Sequence, residues 1–204
     1  MKPPTYCKGW TEFDWELEIR KDEARIHAYL NELPRFIDLP DEEGVILGRM
    51  KQHPELVPQD SEWGPLPFYD SSWDDSDAEE DFQDDWKKEE GADIYMLLQK
   101  LAYQWNSISA SSLAQENLAA GISITCRYGK LLARMADVLD TDASEYPNLR
   151  KALLKRIIAE TNTLQGDLNA ICAKQENLSL RIETQSGHLQ MIREKALDML
   201  SKLA

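Results

Sequence analysis

The sequence predicts a mainly α-helical protein: a long antiparallel, coiled-coil-like helical hairpin, preceded by an irregular, partly helical N-terminal segment and an acidic arm. Three observations carry this. A heptad spacing runs unbroken from Leu154 to Leu203, a second apolar helical face occupies 94–139, and charge is so unevenly spread that the chain divides in three. Residues 1–69 hold 14 acidic and 8 basic residues, 70–93 hold 12 and 2, and 94–204 hold 11 and 13. The three are read as an N-terminal helical and extended segment (1–69), an acidic aromatic arm or linker (70–93) and the helical hairpin (94–204).

The N-terminal segment fits two periods. Phe13, Trp15, Leu17 and Ile19 alternate with charged residues, as on a half-buried strand. Trp15, Ile19, Ile26, Tyr29, Leu30 and Leu33 also share a helical face, and helix over 12–33 is preferred, ending before Pro34. A short helix is expected from Asp41 to about His53, halted by Pro54 and weakened by Gly44 and Gly48. Four prolines between 54 and 67, with Trp63, Phe68 and Tyr69, predict an extended stretch.

The arm reads DSSWDDSDAEEDFQDDWKKEEGAD, and its self-repulsion predicts disorder in isolation. Solvated disorder does not need rings, yet Trp73, Phe82 and Trp86 are interleaved with the acids. They are the candidate partner-binding residues, docking into an apolar groove while Asp74, Asp75, Asp84 and Asp85 meet a basic rim. An EF-hand frame starting at Asp75 fails at its two most demanding positions, where Glu80 stands for glycine and Trp86 for the bidentate glutamate.

In 94–139, Ile94, Leu98, Leu101, Trp105 and Ile108 step by 4, 3, 4 and 3. A section of small residues from Ser107 to Gly121 then allows close packing or marks a bend. The apolar face resumes with Ile122, Tyr128, Leu131, Leu132, Met135 and Leu139. A turn over 140–146, with Ser144 as N-cap and Pro147 in the first helical turn, joins this helix to the next.

That next helix carries the strongest signal. Positions a are Leu154, Thr161, Leu168, Gln175, Ile182, Leu189, Ala196 and Leu203; positions d are Ile157, Leu164, Ile171, Leu178, Gln185, Ile192 and Met199. Twelve of these 15 are apolar, which predicts one helix of roughly 75 Å at 1.5 Å per residue. Gln175 and Gln185 either bond across the seam or sit at its wet edge. The g and e positions lack the complementary charges of a parallel zipper, favouring antiparallel or multi-helix packing. Leu153, Ile158 and Leu200 flank the seam and call for a third or fourth helix, from 12–33 or a second copy of the chain.

Function is less legible. A formal charge of −14 and a pI near 4.6 exclude a polyanion binder working through net charge. Arg127, Lys130, Arg134, Arg150, Lys151, Lys155 and Arg156 form a candidate phosphate patch at the hairpin turn. P-loop, dinucleotide, zincin and hydrolase-elbow motifs do not occur, so no catalytic residue, metal ligand or cofactor is assigned. The three histidines read as solvated, and Cys126 and Cys172 as small buried hydrophobes. Three dispersed cysteines indicate a reducing, cytoplasmic setting; no signal peptide and no membrane span are expected. The leading expectation is a non-enzymatic protein-interaction factor (adaptor, assembly subunit or inhibitor) acting through its seam and arm. Its partners would be itself or another helical protein. A nucleic-acid-associated factor, its basic hairpin end autoinhibited by the arm, ranks second.

Overall fold

The a and d positions of 154–203 are buried in the register that the heptads set, but they lie on two helices instead of one. A computed structural model describes residues 9–36, 39–53 and 85–203. These form two compact units, residues 9–12 with 85–203, and residues 13–36 with 39–53. The described residues are mostly helical and include no strand.

The larger unit is an antiparallel four-helix bundle. Its helices are α3 (Ala92–Gln104), α4 (Leu118–Asp140), α5 (Pro147–Cys172) and α6 (Ser179–Lys202), preceded by α1 (Glu12–Phe36) and α2 (Glu42–Met50). In the bundle α4 packs on α3 and α5, α5 on α6, and α6 closes the ring against α3. The expected hairpin turning at 140–146 is present as α4–α5, and each of its two expected long arms is itself folded back, as α3–α4 and α5–α6. Every seam residue from Leu154 to Met199 is buried apart from half-buried Gln175. The expectation of a single 50-residue helix is corrected: the backbone leaves the helix at Gln175 (φ −143°, ψ 86°) and re-enters it at Ser179 after one 3₁₀ turn. Intramolecular folding thus supplies the third and fourth helices, and Leu153 is buried among them.

The section of small residues marks a bend. Trp105–Ser109 forms a π turn, followed by two short 3₁₀ turns, Ala110–Ser112 and Gln115–Asn117. A π turn takes up more residues than an α turn, so the position sharing Trp105's inward face becomes Ser109. Ser109 is buried, and Ile108, expected in the core, is 45% exposed. Across the bend the face of α4 also shifts: Ile124 and Val138 are buried and Ile122 is 66% exposed. Cys126, expected inside, is exposed, and Cys172 is half-buried. His27 and His53 are exposed and His188 is half-buried.

At the α4–α5 turn, Pro147 opens α5 as expected, being tolerated where the first N–H groups have no intrahelical partner. Ser144 is not the cap. Its N–H and hydroxyl both donate to Asp142 Oδ1, at 2.8 and 2.7 Å, forming an Asx turn before the helix.

In the smaller unit, α1 runs through Pro34 to Phe36. A proline in the last turn forgoes one bond, to the carbonyl of residue 30, and the helix ends two residues on. Trp15 and Ile19 are buried, whereas Ile26, expected on their face, is 58% exposed. Helix α2 is shorter than expected and buries Ile46 and Met50. The expected extended stretch from 54 lies outside the described residues.

Candidate functional site

Sequence singled out the arm, and its last residues are held against one end of the bundle. The 3₁₀ turn Asp85–Lys88 leads through Glu89 and Glu90 to Gly91, at φ +103°, which N-caps α3. Glycine is required there twice over. The left-handed conformation disfavours a side chain, and an added Cβ would lie 2.5 Å from Met135 Cε and 3.1 Å from Met199 Cε.

Around this close approach lies a clasp of opposite charges. The guanidinium of the buried Arg150 donates to Thr141 O (3.2 Å), Glu90 O (3.4 Å) and Glu90 Oε2 (3.3 Å). Lys202 Nζ reaches Glu90 Oε1 at 3.0 Å, and Lys195 pairs with Asp93. The hydrogen bond from Lys195 holds the Asp93 carboxyl below its ordinary pKa, and Oδ1 also accepts the Ile94 N–H at 3.0 Å. Asp198 and Glu90 raise the Lys202 ammonium. Beside the clasp, the Trp86 ring meets Tyr95 edge to face (5.6 Å, 85°), and Lys87 Nζ stands 5.9 Å from the indole centroid. Trp86 remains 39% exposed.

Trp86 is therefore the one proposed arm ring with a described position: fixed on the bundle, half in water. Trp73, Asp74, Asp75, Phe82 and Asp84 lie outside the described residues; Asp85 begins the 3₁₀ turn. Sequence reasoning missed Tyr95, Glu90, Asp93, Lys195 and Lys202. A signal for two of them was available: Lys195 and Lys202 stand one heptad apart at g positions, facing an acid pair three residues apart.

The candidate phosphate patch is dispersed along the bundle. Arg127 lies thirteen residues, about 20 Å, from the end of α4. Its Nη1 donates to Glu160 Oε1 (2.7 Å) and its Nε to Asp167 Oδ2 (2.6 Å). Burial works against the charge of this guanidinium, but the two carboxylates more than offset that and raise its pKa. Lys130 stands 3.6 Å from Glu160, Arg134 pairs with Asp137 at 3.1 Å, and Lys155 pairs with Glu12. Arg150 belongs to the clasp, Arg156 has a partner of its own, and Lys151 is half-buried in the first turns of α5.

Two polar side chains of the core, Trp105 and Thr161, are likewise engaged. Trp105 Nε1 donates to Gly121 O (3.3 Å) and Thr125 Oγ1 (3.2 Å), and Thr161 Oγ1 donates to Ile157 O (2.7 Å). At the bundle end opposite the clasp, Tyr103, Ile108, Leu118, Ile122 and Leu180 are all at least 45% exposed. The smaller unit has its own cleft of about 310 Å³, lined by Glu32, Arg49, Met50 and His53 among others; Arg49 pairs there with Glu32 at 3.2 Å. Among the described residues no group of His, Cys, Asp and Glu is placed to hold a metal ion, and no helix is long and apolar enough to cross a membrane. The chain matches no family model, no curated protein and no solved structure.

Proposed function

We infer that the chain is a non-enzymatic protein-interaction factor of the adaptor, assembly-subunit or inhibitor kind. Its acidic arm engages a partner bearing a basic-rimmed apolar groove. The observation that carries this reading is Trp86, fixed by Tyr95 yet 39% exposed, where a run of net charge −10 meets a rigid bundle. A half-wet indole held in position loses little entropy on docking, and the carboxylates around it steer a cationic surface toward it. The seam contributes rigidity, since its apolar positions are consumed within the chain. Free Cys126 and Cys172 support a reducing, cytoplasmic setting.

The nucleic-acid reading draws on Arg127, Lys130, Arg134, Arg150 and Lys155, all facing carboxylates of this same chain. It has no observation of its own in its favour.

The test places a photo-crosslinking residue at position 86 of the full chain, in its native host. The expected product is one partner with a basic surface, reduced by added salt and lost when Asp74, Asp75, Asp84 and Asp85 are reversed to lysine. No product, or the same product from the charge-reversed chain, rejects the reading.

A further inference from the structure

The heptads run without a slip through a turn where the chain reverses. That is not what a turn requires: once α5 ends, nothing in the hairpin asks α6 to keep the phase of α5. Ile171, Gln175, Leu178 and Ile182 nevertheless continue the 4, 3, 4 spacing across residues 173–178. The turn itself, Ala-Lys-Gln-Glu-Asn-Leu, has neither glycine nor proline, and five of its six residues are strong helix formers.

Its backbone is close to helical already. Ala173, Leu178 and Ser179 have right-handed helical dihedrals, and residues 176–178 form a 3₁₀ turn. The Gln175 N–H still bonds to Ile171 O at 2.9 Å, as in a continuing helix. The departure is at Gln175, whose side chain fastens the turn to the α3–α4 connection. Gln175 Oε1 accepts from Ala114 N (3.0 Å) and Asn117 Nδ2 (3.2 Å), and Nε2 donates to Ser112 O (2.7 Å).

We propose that Gln175 is a hinge through which α5 and α6 straighten into one helix, exchanging α6 with a second copy of this chain. In the exchanged dimer each α6 lies in the other copy's bundle. The contacts of α6 with α3, α4 and α5, from Tyr128–Gln185 to Asp93–Lys195, re-form between chains. Only the hinge differs: each chain gives up the three Gln175 side-chain bonds and gains helical hydrogen bonds along 173–178. The unbroken register is what lets one straight helix present both halves of its seam to two bundles. The partner is a second copy because only an identical chain offers the site that α6 leaves. This inference is independent of the proposed function.

Light scattering of the full chain, from micromolar to millimolar concentration, reads the dimer. Gln175→Ala removes the three bonds and should raise the dimerisation constant roughly a hundredfold, each of two hinges contributing about tenfold. Glu176→Pro, compatible with the extended residue before it but not with a continuous helix, should return the chain to monomer. Spin labels then report the topology, in a chain with its own cysteines replaced by serine and carrying Ala159→Cys and Gln190→Cys, both at exposed positions. Diluted into unlabelled chain, the exchanged dimer should give an intrachain separation near 46 Å, from 31 residues at 1.5 Å each. The hairpin gives less than about 25 Å, its axes being about 8–10 Å apart. A dimer with only the short distance, or a Gln175→Ala chain monomeric throughout, overturns the proposal. So does a dimer that Glu176→Pro leaves intact.

Discussion

The Tyr128 hydroxyl donates to Gln185 Oε1 at 3.2 Å, joining α4 to α6 across the bundle core over 57 residues of sequence. Both side chains are buried, Tyr128 at 1% and Gln185 at 4% exposure. A polar residue at a seam position is costly unless paired, and pairing permits only the alignment of helices that brings the two groups together. Gln185 therefore sets the stagger of α6 against α4.

This pair predicts a marked non-additivity. Tyr128→Phe leaves the buried amide oxygen without its donor and should cost about 1–3 kcal/mol. Gln185→Leu should cost a similar amount by stranding the phenol. The double variant removes both polar groups and should lie within about 1 kcal/mol of the parent. Urea unfolding of the four chains measures the coupling; additive losses would mean that the bond contributes nothing.

The same phenol predicts an alkaline limit. Burial raises the Tyr128 pKa well above its ordinary value, so the folded chain holds the proton more tightly than the unfolded one. That contribution is complete below about pH 10, the unfolded value, and is lost as pH rises above it toward the folded value. Stability against urea should fall progressively above pH 10, and Tyr128→Phe should flatten this limb. An unchanged slope in the variant would assign the limb to other groups.

Two glycines should respond in opposite directions. At Gly91 an alanine meets a positive φ and the methyls of Met135 and Met199, and should cost more than about 1 kcal/mol. At Gly129, exposed within α4, a Cβ would find nothing within 4 Å, and alanine should stabilise by about 0.5–1 kcal/mol. Thermal unfolding of Gly91→Ala and Gly129→Ala compares them directly.

The burial of Leu154, Ile157, Leu164, Leu168, Leu189 and Ile192 was legible in the sequence because a 3-4 spacing states which side of a helix is dry. The spacing does not state how many helices carry it. The turn at 173–178 was hidden because Ala, Lys, Gln, Glu and Leu are helix formers and no glycine or proline marks the end of α5. The π turn was hidden for a related reason: an extra residue leaves no compositional trace, so the spacing alone places Ile108 and Ile122, and with them the exposed Cys126, in the core. In the candidate site, an exposed aromatic among acids pointed to Trp86. The clasp depends on meetings between α3, α5 and α6, such as Glu90 with Arg150, that no local pattern encodes.

The clasp should divide into one strong and one weak partnership. Glu90 holds two cations, but the Lys202 side chain is 57% exposed and that of Arg150 only 10%. An ion pair open to water contributes little and is screened by salt, so Lys202→Ala should leave stability nearly unchanged. Glu90→Ala leaves the guanidinium of Arg150 with carbonyls alone in a largely desolvated position, and should cost about 1–3 kcal/mol. Unfolding of both variants at low and at molar salt separates the two contributions. The small effect of Lys202→Ala should vanish in salt, while most of the Glu90→Ala loss persists because water and ions reach Arg150 poorly. Equal losses that disappear together in salt would mean that Glu90 acts only as a surface charge.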